Sequence, residues 1–181
     1  MRIIFQRNQK MKKTLFLLVL STVCGCTHPE PTRYQILGIE QFQQIKQNPK
    51  SHIGRLCAFG GRVINTEKTA KQIVFQILVQ NYISNSERNI TTGGPLSVIY
   101  PGPETTVADG HQVKVLGYLR GPAVGKDLFG TTVSSLKLDA IAVYDSFTQY
   151  DFRLNGYEEL FNNWKTGEPL TAGKIQKADG S

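Results

Sequence analysis

Cysteine and histidine are scarce in this chain, three of each among 181 residues. A structural metal site needs about four ligands at productive spacing. Here Cys57 is left with three scattered histidines, His28, His52 and His111. Cys24 and Cys26 form a C-x-C pair, whereas a redox dithiol is C-x-x-C. No metal and no cofactor is expected. The motifs of catalysis are missing as well, with neither a G-x-S-x-G elbow nor an H-E-x-x-H helix in the sequence. His28 lies in a polar stretch, His52 just before a strand pattern, and His111 in a turn, DGHQ; each reads as a solvated or packing residue. Glu158 and Glu159 are adjacent, so on a helix they diverge by about 100° and cannot share a substrate. No catalytic residue is assigned, and the chain is not expected to be an enzyme. A long apolar run is also lacking. TLFLLVLSTV (14–23) has ten residues, and crossing a bilayer as a helix takes about 20.

Acidic residues are absent from the first 25 positions, which hold Arg2, Arg7, Lys10, Lys12 and Lys13. This segment carries +5 of the formal net charge of +7. Positions 26–181 are nearly balanced, with 16 basic and 14 acidic residues. The basic signature belongs to the N-terminus, and no nucleic-acid partner is expected from it. Lys12-Lys13, the apolar 14–23 run and the small residues that follow have the three parts of an export signal. Either Met1 or Met11 can open it.

The signal ends in Val23-Cys24-Gly25-Cys26, which resembles the lipobox of bacterial lipoproteins: an aliphatic residue at −3, a tolerant −2, Gly at −1, then Cys. The resemblance implies removal of residues 1–25, diacylglyceryl modification of Cys26, and acylation of the new N-terminus. A single acyl chain binds membranes marginally, and further chains make anchoring stable. Thr27 stands where an Asp commonly retains such proteins in the inner membrane, so the implied location is the outer membrane, lipid-anchored. An ordinary signal peptide cut elsewhere is the alternative. After processing, Cys57 would be the lone thiol and no intramolecular disulfide could form; as a free cysteine it reads as a small buried hydrophobe.

Residues 26–37 read as a proline-broken polar tether. Residues 38–149 read as a β-barrel domain that opens with a lid helix, and 150–181 as an aromatic C-terminal extension with a polar, mobile tail. The helix lies in GIEQFQQIKQNP (38–49), where Ile39, Phe42 and Ile45 share a face and Asn48-Pro49 is a stop signal. Strand patterns follow over 55–65, 72–79, 96–100, 112–119 and 135–144. Ile73, Phe75, Ile77 and Val79 alternate onto one face, as do Val113, Val115, Gly117 and Leu119. Five strands in about 90 residues predict a mainly β fold, a small five-stranded OB-like barrel with a short N-terminal helix and a C-terminal helical extension.

Two glycine groups invite a phosphate-loop reading and fail it. Gly60-Gly61 is flanked by β-prone residues on both sides, so it reads as a bulge or bend in a long strand serving both sheets of the barrel. GPAVGKD (121–127) has three residues between its glycines and Asp after the Lys, where a Walker loop has four and Ser or Thr.

GRLCAFGGRVIN (54–65) and GHQVKVLGYLRGPAVGK (110–126), in this order after the Asn-Pro helix, resemble the Slp family of outer-membrane lipoproteins. The resemblance covers 53–144. It implies a membrane-anchored protein with a structural or protein-interaction role in the bacterial envelope, with envelope or secretion-system proteins as partners.

The alternative is a periplasm-facing binding module for an anionic glycan or peptide. In an OB-like barrel, ligands meet the face of strands two and three, rimmed by the first and fourth loops. NTEKTAKQ (65–72) and GPAVGKDLFG (121–130) would supply Lys68, Lys71, Lys126 and Phe129. The long loop at 81–94 would add Tyr82 and Arg88. In the C-terminal extension Tyr157, Phe161 and Trp164 carry two readings: packing on the barrel, which is preferred, or a partner-binding surface.

Overall fold

The computed structural model describes residues 34–81, 92–102, 105–127 and 129–170. The signal, Cys26, Tyr82, Arg88 and the tail from 171 lie outside the described residues.

The strands are β1 (Leu56–Lys68), β2 (Ile73–Gln80), β3 (Thr92–Tyr100), β4 (Gln112–Lys126), β5 (Thr132–Asp145) and β6 (Tyr150–Arg153). The first five close a ring. β1 pairs with β2 and with β4, β2 with β3, and β4 with β5, all antiparallel; β3 and β5 seal it in parallel, Leu96 beside Leu136 through Ile99 beside Asp139. β6 adds to the outer side of β5. This is the OB-like barrel that the strand patterns predict.

β1 does serve both sheets. Leu56–Arg62 pairs with β4 and Gly61–Lys68 with β2, so Gly61 has Val79 on one side and Val113 on the other. A Cβ at Gly61 would sit 2.2 Å from the Leu78 carbonyl oxygen, a distance only glycine permits. The register slip lies further on, between Ile64 and Glu67, where Asn65 has φ +52°. β4 needs a second such glycine. A Cβ at Gly117 would lie 2.2 Å from the Asp139 carbonyl oxygen, at a slip in the β4–β5 register.

Inside the ring lie the apolar faces read from alternation. Phe59, Val63, Ile73, Phe75, Ile77, Val79, Val113, Val115 and Leu119 are fully buried. Cys57 is buried with them, and burial pushes its thiol above the ordinary range, opposed in part by the Arg55 charge. Helix α1 (Ile39–Gln47) closes over this interior with Phe42 and Ile45; the Phe42 ring meets Phe59 edge-on at 5.4 Å. Its first turn is tied down when Ile39 N–H donates to Asn81 Oδ1 at 2.8 Å. A 3-10 turn at Pro49–His52 ends it, as the Asn-Pro pair predicts.

β1 runs on to Lys68 and β5 starts at Thr132, both beyond the strand patterns, and four further boundaries differ from the sequence reading. Packing begins at Tyr34, within the stretch read as tether: Tyr34 is buried, and Leu37 N–H donates to the Ala58 carbonyl at 2.7 Å. β3 starts at Thr92, taking in Gly93-Gly94-Pro95. GPAVGK is strand and not loop, its residues 121–126 paired with 132–137 of β5, because Gly121 at φ +125° lets β4 turn and continue. Finally, Tyr150–Arg153, read as part of a helical extension, is strand β6.

Helix α2 (Glu158–Thr166) packs a second layer on the outside of the ring. Glu158 and Glu159 favour its N-terminal dipole, Lys165 its last turn, and Gly167 closes it at φ +79°. Phe161 and Trp164 point inward onto Ala58, Leu116, Ile141 and Ala142. Both are buried, so the packing reading holds for them and they present no surface to a partner.

Candidate functional site

The face of β2 turned away from the core presents Val74 and Gln76. Beside them on β1 and β3 stand Asn65, Glu67 and Ser97, and the end of the β4–β5 hairpin arches over them with Val124, Gly125, Lys126 and Thr132. The result is a groove of about 340 Å³ on the outer face of strands two and three. Gln76 ties it together. Its Oε1 accepts from Asn65 Nδ2 at 3.0 Å and from the Lys126 backbone N–H at 3.2 Å. The lining mixes one carboxylate, one ammonium and neutral donors and acceptors, and includes no aromatic ring. Chemically it can accept a small polar group of either sign.

Of the four residues the sequence assigns to this face, Lys126 alone lines the groove. Lys68 follows Glu67 on β1 and so points to the other side, where its Nζ donates to the Thr105 carbonyl at 2.5 Å. Lys71 is exposed in the β1–β2 turn. Phe129, 92 % exposed, sits at the tip of the β4–β5 hairpin. Asp127 Oδ1 shapes that tip by accepting from the Phe129 and Thr131 N–H groups at 2.9 and 2.8 Å. The residues missed were Asn65, Glu67, Gln76 and Ser97. Alternation along β2 placed Gln76 outward, but carried along β1 it would put Glu67 inward with Val63; the register slip between Ile64 and Glu67 is what turns Glu67 out beside Val74.

The other polar arrangements serve architecture. His111 Nδ1 lies 2.8 Å from Asp145 Oδ2, with Asp145 wholly buried. The other carboxylate oxygen accepts from Phe147 N–H at 2.9 Å, and the Phe147 ring stacks on the imidazole at 4.6 Å. This links the β3–β4 turn to the end of β5. His52 Nδ1 accepts from Arg55 Nη1 at 2.8 Å. Among the described residues no three His, Cys, Asp or Glu side chains gather as a metal site.

The outer layer holds an aromatic box. Tyr34 stacks on Tyr144 at 4.9 Å and meets Trp164 edge-on at 4.6 Å. Lys114 Nζ lies 4.8 Å from the Tyr34 ring centroid and 5.5 Å from that of Tyr144, and burial lowers its pKa. Tyr34 Oη donates to Asp151 Oδ1 at 2.7 Å, and Lys165 Nζ donates to the other oxygen at 2.6 Å. Tyr157 is half-buried at the margin of this layer.

Known structures resemble the chain at low identity. A small single-stranded DNA-binding protein from Streptomyces coelicolor shares 17% identity over 54% of this chain and 98% of its own, with a TM-score of 0.36. A mitochondrial single-stranded DNA binding protein from S. cerevisiae shares 14% over 51% of this chain and 95% of its own, at 0.34. An aspartyl tRNA synthetase from Entamoeba histolytica shares 10% over 84% of this chain, which spans 25% of that enzyme, at 0.40. No curated protein matches the chain in sequence. A family model does. It takes in the lipobox-like residues, the GRLCAFGGRVIN stretch and β2, and stops within β3, short of the second resembling stretch at 110–126. It supports a membrane-associated lipoprotein: residues 22–96 match the outer membrane lipoprotein Slp family.

Proposed function

We propose that this protein is a lipoprotein of the outer membrane, held there by acylated Cys26, and that its barrel works by protein interaction within the envelope and without catalysis. The observation that carries the reading is the span of the family match. It begins one residue before Val23 and runs through α1, β1 and β2, so one family pattern joins the lipid-attachment motif to the barrel. Thr27, in place of Asp, favours the outer membrane. Envelope or secretion-system proteins are the partners this reading expects. The test is intact mass and detergent-phase partitioning of the expressed protein beside Cys26→Ala. A mature chain that starts at Cys26, carries diacylglycerol and acyl groups, and leaves the detergent phase in the variant is the expected result. An unmodified chain in the aqueous phase would sink the proposal.

A second reading has the groove over β2 and β3 as its support: a periplasm-facing module for a small glycan or peptide ligand. Glu67 beside Lys126 favours a zwitterionic ligand, such as a glycan fragment bearing a peptide, over a purely anionic one. Nucleic acid has no place in the reading, since strand binding uses stacking rings among basic residues. Soluble peptidoglycan fragments should raise the melting temperature of the native protein, and Lys126→Glu should abolish that rise. No shift with the native protein removes this second reading.

A further inference from the structure

The β5–β6 hairpin turns through Ser146-Phe147-Thr148-Gln149-Tyr150, a stretch with no charged residue. Two of its five side chains are large and aromatic, and both stand in solvent: Phe147 is 76 % and Tyr150 64 % exposed. The turn is braced. Asp145 holds Phe147 N–H, His111 backs the Phe147 ring, and Tyr150 pairs with Asp145 in the ladder. Among the described residues the carboxylates next to the turn are engaged: Asp145 faces His111, and Asp151 takes Tyr34 and Lys165. A rigid, uncharged tip with an apolar ring and a phenol suits the boundary between headgroups and acyl chains, where amphipathic aromatics concentrate.

Its place in the chain supplies the occupant. Tyr34 hydrogen-bonds Asp151, the residue next to Tyr150. Tyr34 is eight residue steps from Cys26, which at roughly 3.5 Å each keeps the anchor within about 28 Å of Tyr34. We infer that the Phe147–Tyr150 turn is a second membrane contact, dipping into the lipid interface beside the acylated N-terminus and turning the β4–β5 hairpin and its groove away from the bilayer. This inference rests on the proposed acylation of Cys26.

The experiment uses the full chain purified from membranes, with acylation verified by intact mass before anything else is measured. Thr148→Cys places a label between the two aromatics, and Phe129→Cys places one at the far hairpin. Cys57 is buried and stays unlabelled. Each variant carries an environment-sensitive fluorophore in vesicles of phosphatidylethanolamine and phosphatidylglycerol. The label at 148 should shift to the blue and escape an aqueous quencher, while the label at 129 stays quenchable. Phe147→Ser with Tyr150→Ser should restore quenching at 148. Equal quenching at 148 and 129 in verified acylated protein overturns the membrane contact and leaves the anchor standing. Protection at 148 in native envelopes but not in pure lipid overturns it in favour of a protein partner. A chain without acyl groups fails at the mass measurement, which is the failure of the anchor itself.

Discussion

The two hydrophobic clusters of the described residues are built from different chemistry. The barrel interior is aliphatic side chains and phenylalanine, with Cys57 and Tyr100 the other buried members among the described residues. The outer layer is Tyr34, Trp164 and Phe161 over small residues of β1 and β5, with Lys114 and Tyr144 at its edge. The contrast follows from water. A side chain inside a closed ring can reach few polar partners and must be apolar. A layer under one helix is open at its rim, so rings with a polar handle pack their bodies and bond their tips, as Tyr34 does to Asp151 and Trp164 Nε1 does to the Gln35 carbonyl at 3.0 Å.

Breaking the interior should break everything. Phe59 is fully buried, belongs to the strand shared by both sheets, and supports α1 through Phe42. Phe59→Ala should cost about 3–5 kcal/mol, read in urea unfolding by far-UV circular dichroism. Trp164 is the only tryptophan in the chain, so its fluorescence reports the outer layer independently. The two signals should move together in this variant.

Breaking the outer layer should cost less and separate them. Phe161→Ala removes a buried ring from α2, but α2 lies outside the closed ladder. We expect a loss near the lower end of that range, about 3 kcal/mol, with Trp164 emission shifting to the red at lower urea than the loss of β signal. This is local opening of a peripheral unit. Coincident transitions would show instead that the two clusters fold as one.

The same contrast decides what could be read from the sequence. The interior was legible because alternation is a local signal: QIVFQILVQ and QVKVLGYL name their buried faces within nine and eight residues. The closure of the ring followed from strand number and from a long β1 serving both sheets, although the irregularity in β1 lies at Asn65 and not at Gly60-Gly61. The outer layer joins Tyr34 to Asp151 and Trp164 to Gln35, pairs 117 and 129 residues apart, and no short window holds such a contact. For that reason Tyr34–Leu37 read as tether and β6 as part of the C-terminal extension. At the groove, loop boundaries misled: Lys68 was assigned to a loop but is strand, where alternation turns it away from Glu67 and the groove.

The finest test of the comparison is alkaline pH, because burial shifts a titratable group of opposite type in each cluster, Cys57 inside and Lys114 outside. Burial raises Cys57 above the ordinary thiol value of 9.0 and lowers Lys114 below the ordinary ammonium value of 10.5. The signs are opposed. The unfolded thiol ionises near 9.0 while the folded one keeps its proton, so Cys57 contributes stability that is lost as pH rises from there through its folded value. The folded ammonium gives up its proton before the unfolded one does, so Lys114 contributes stability that grows as pH rises toward 10.5 and is lost as pH falls through its folded value. Between 9.0 and 10.5 the two slopes partly cancel in the native protein. Relative to it, Cys57→Ala should make stability climb more, or fall less, across this window, and Lys114→Met should do the reverse, while neither alters the slope near neutrality. Unfolding in urea at stepped pH measures both. Parallel curves for Cys57→Ala and the native chain would mean that the thiol meets water inside the barrel, and the burial of Cys57 in an apolar interior would have to be abandoned.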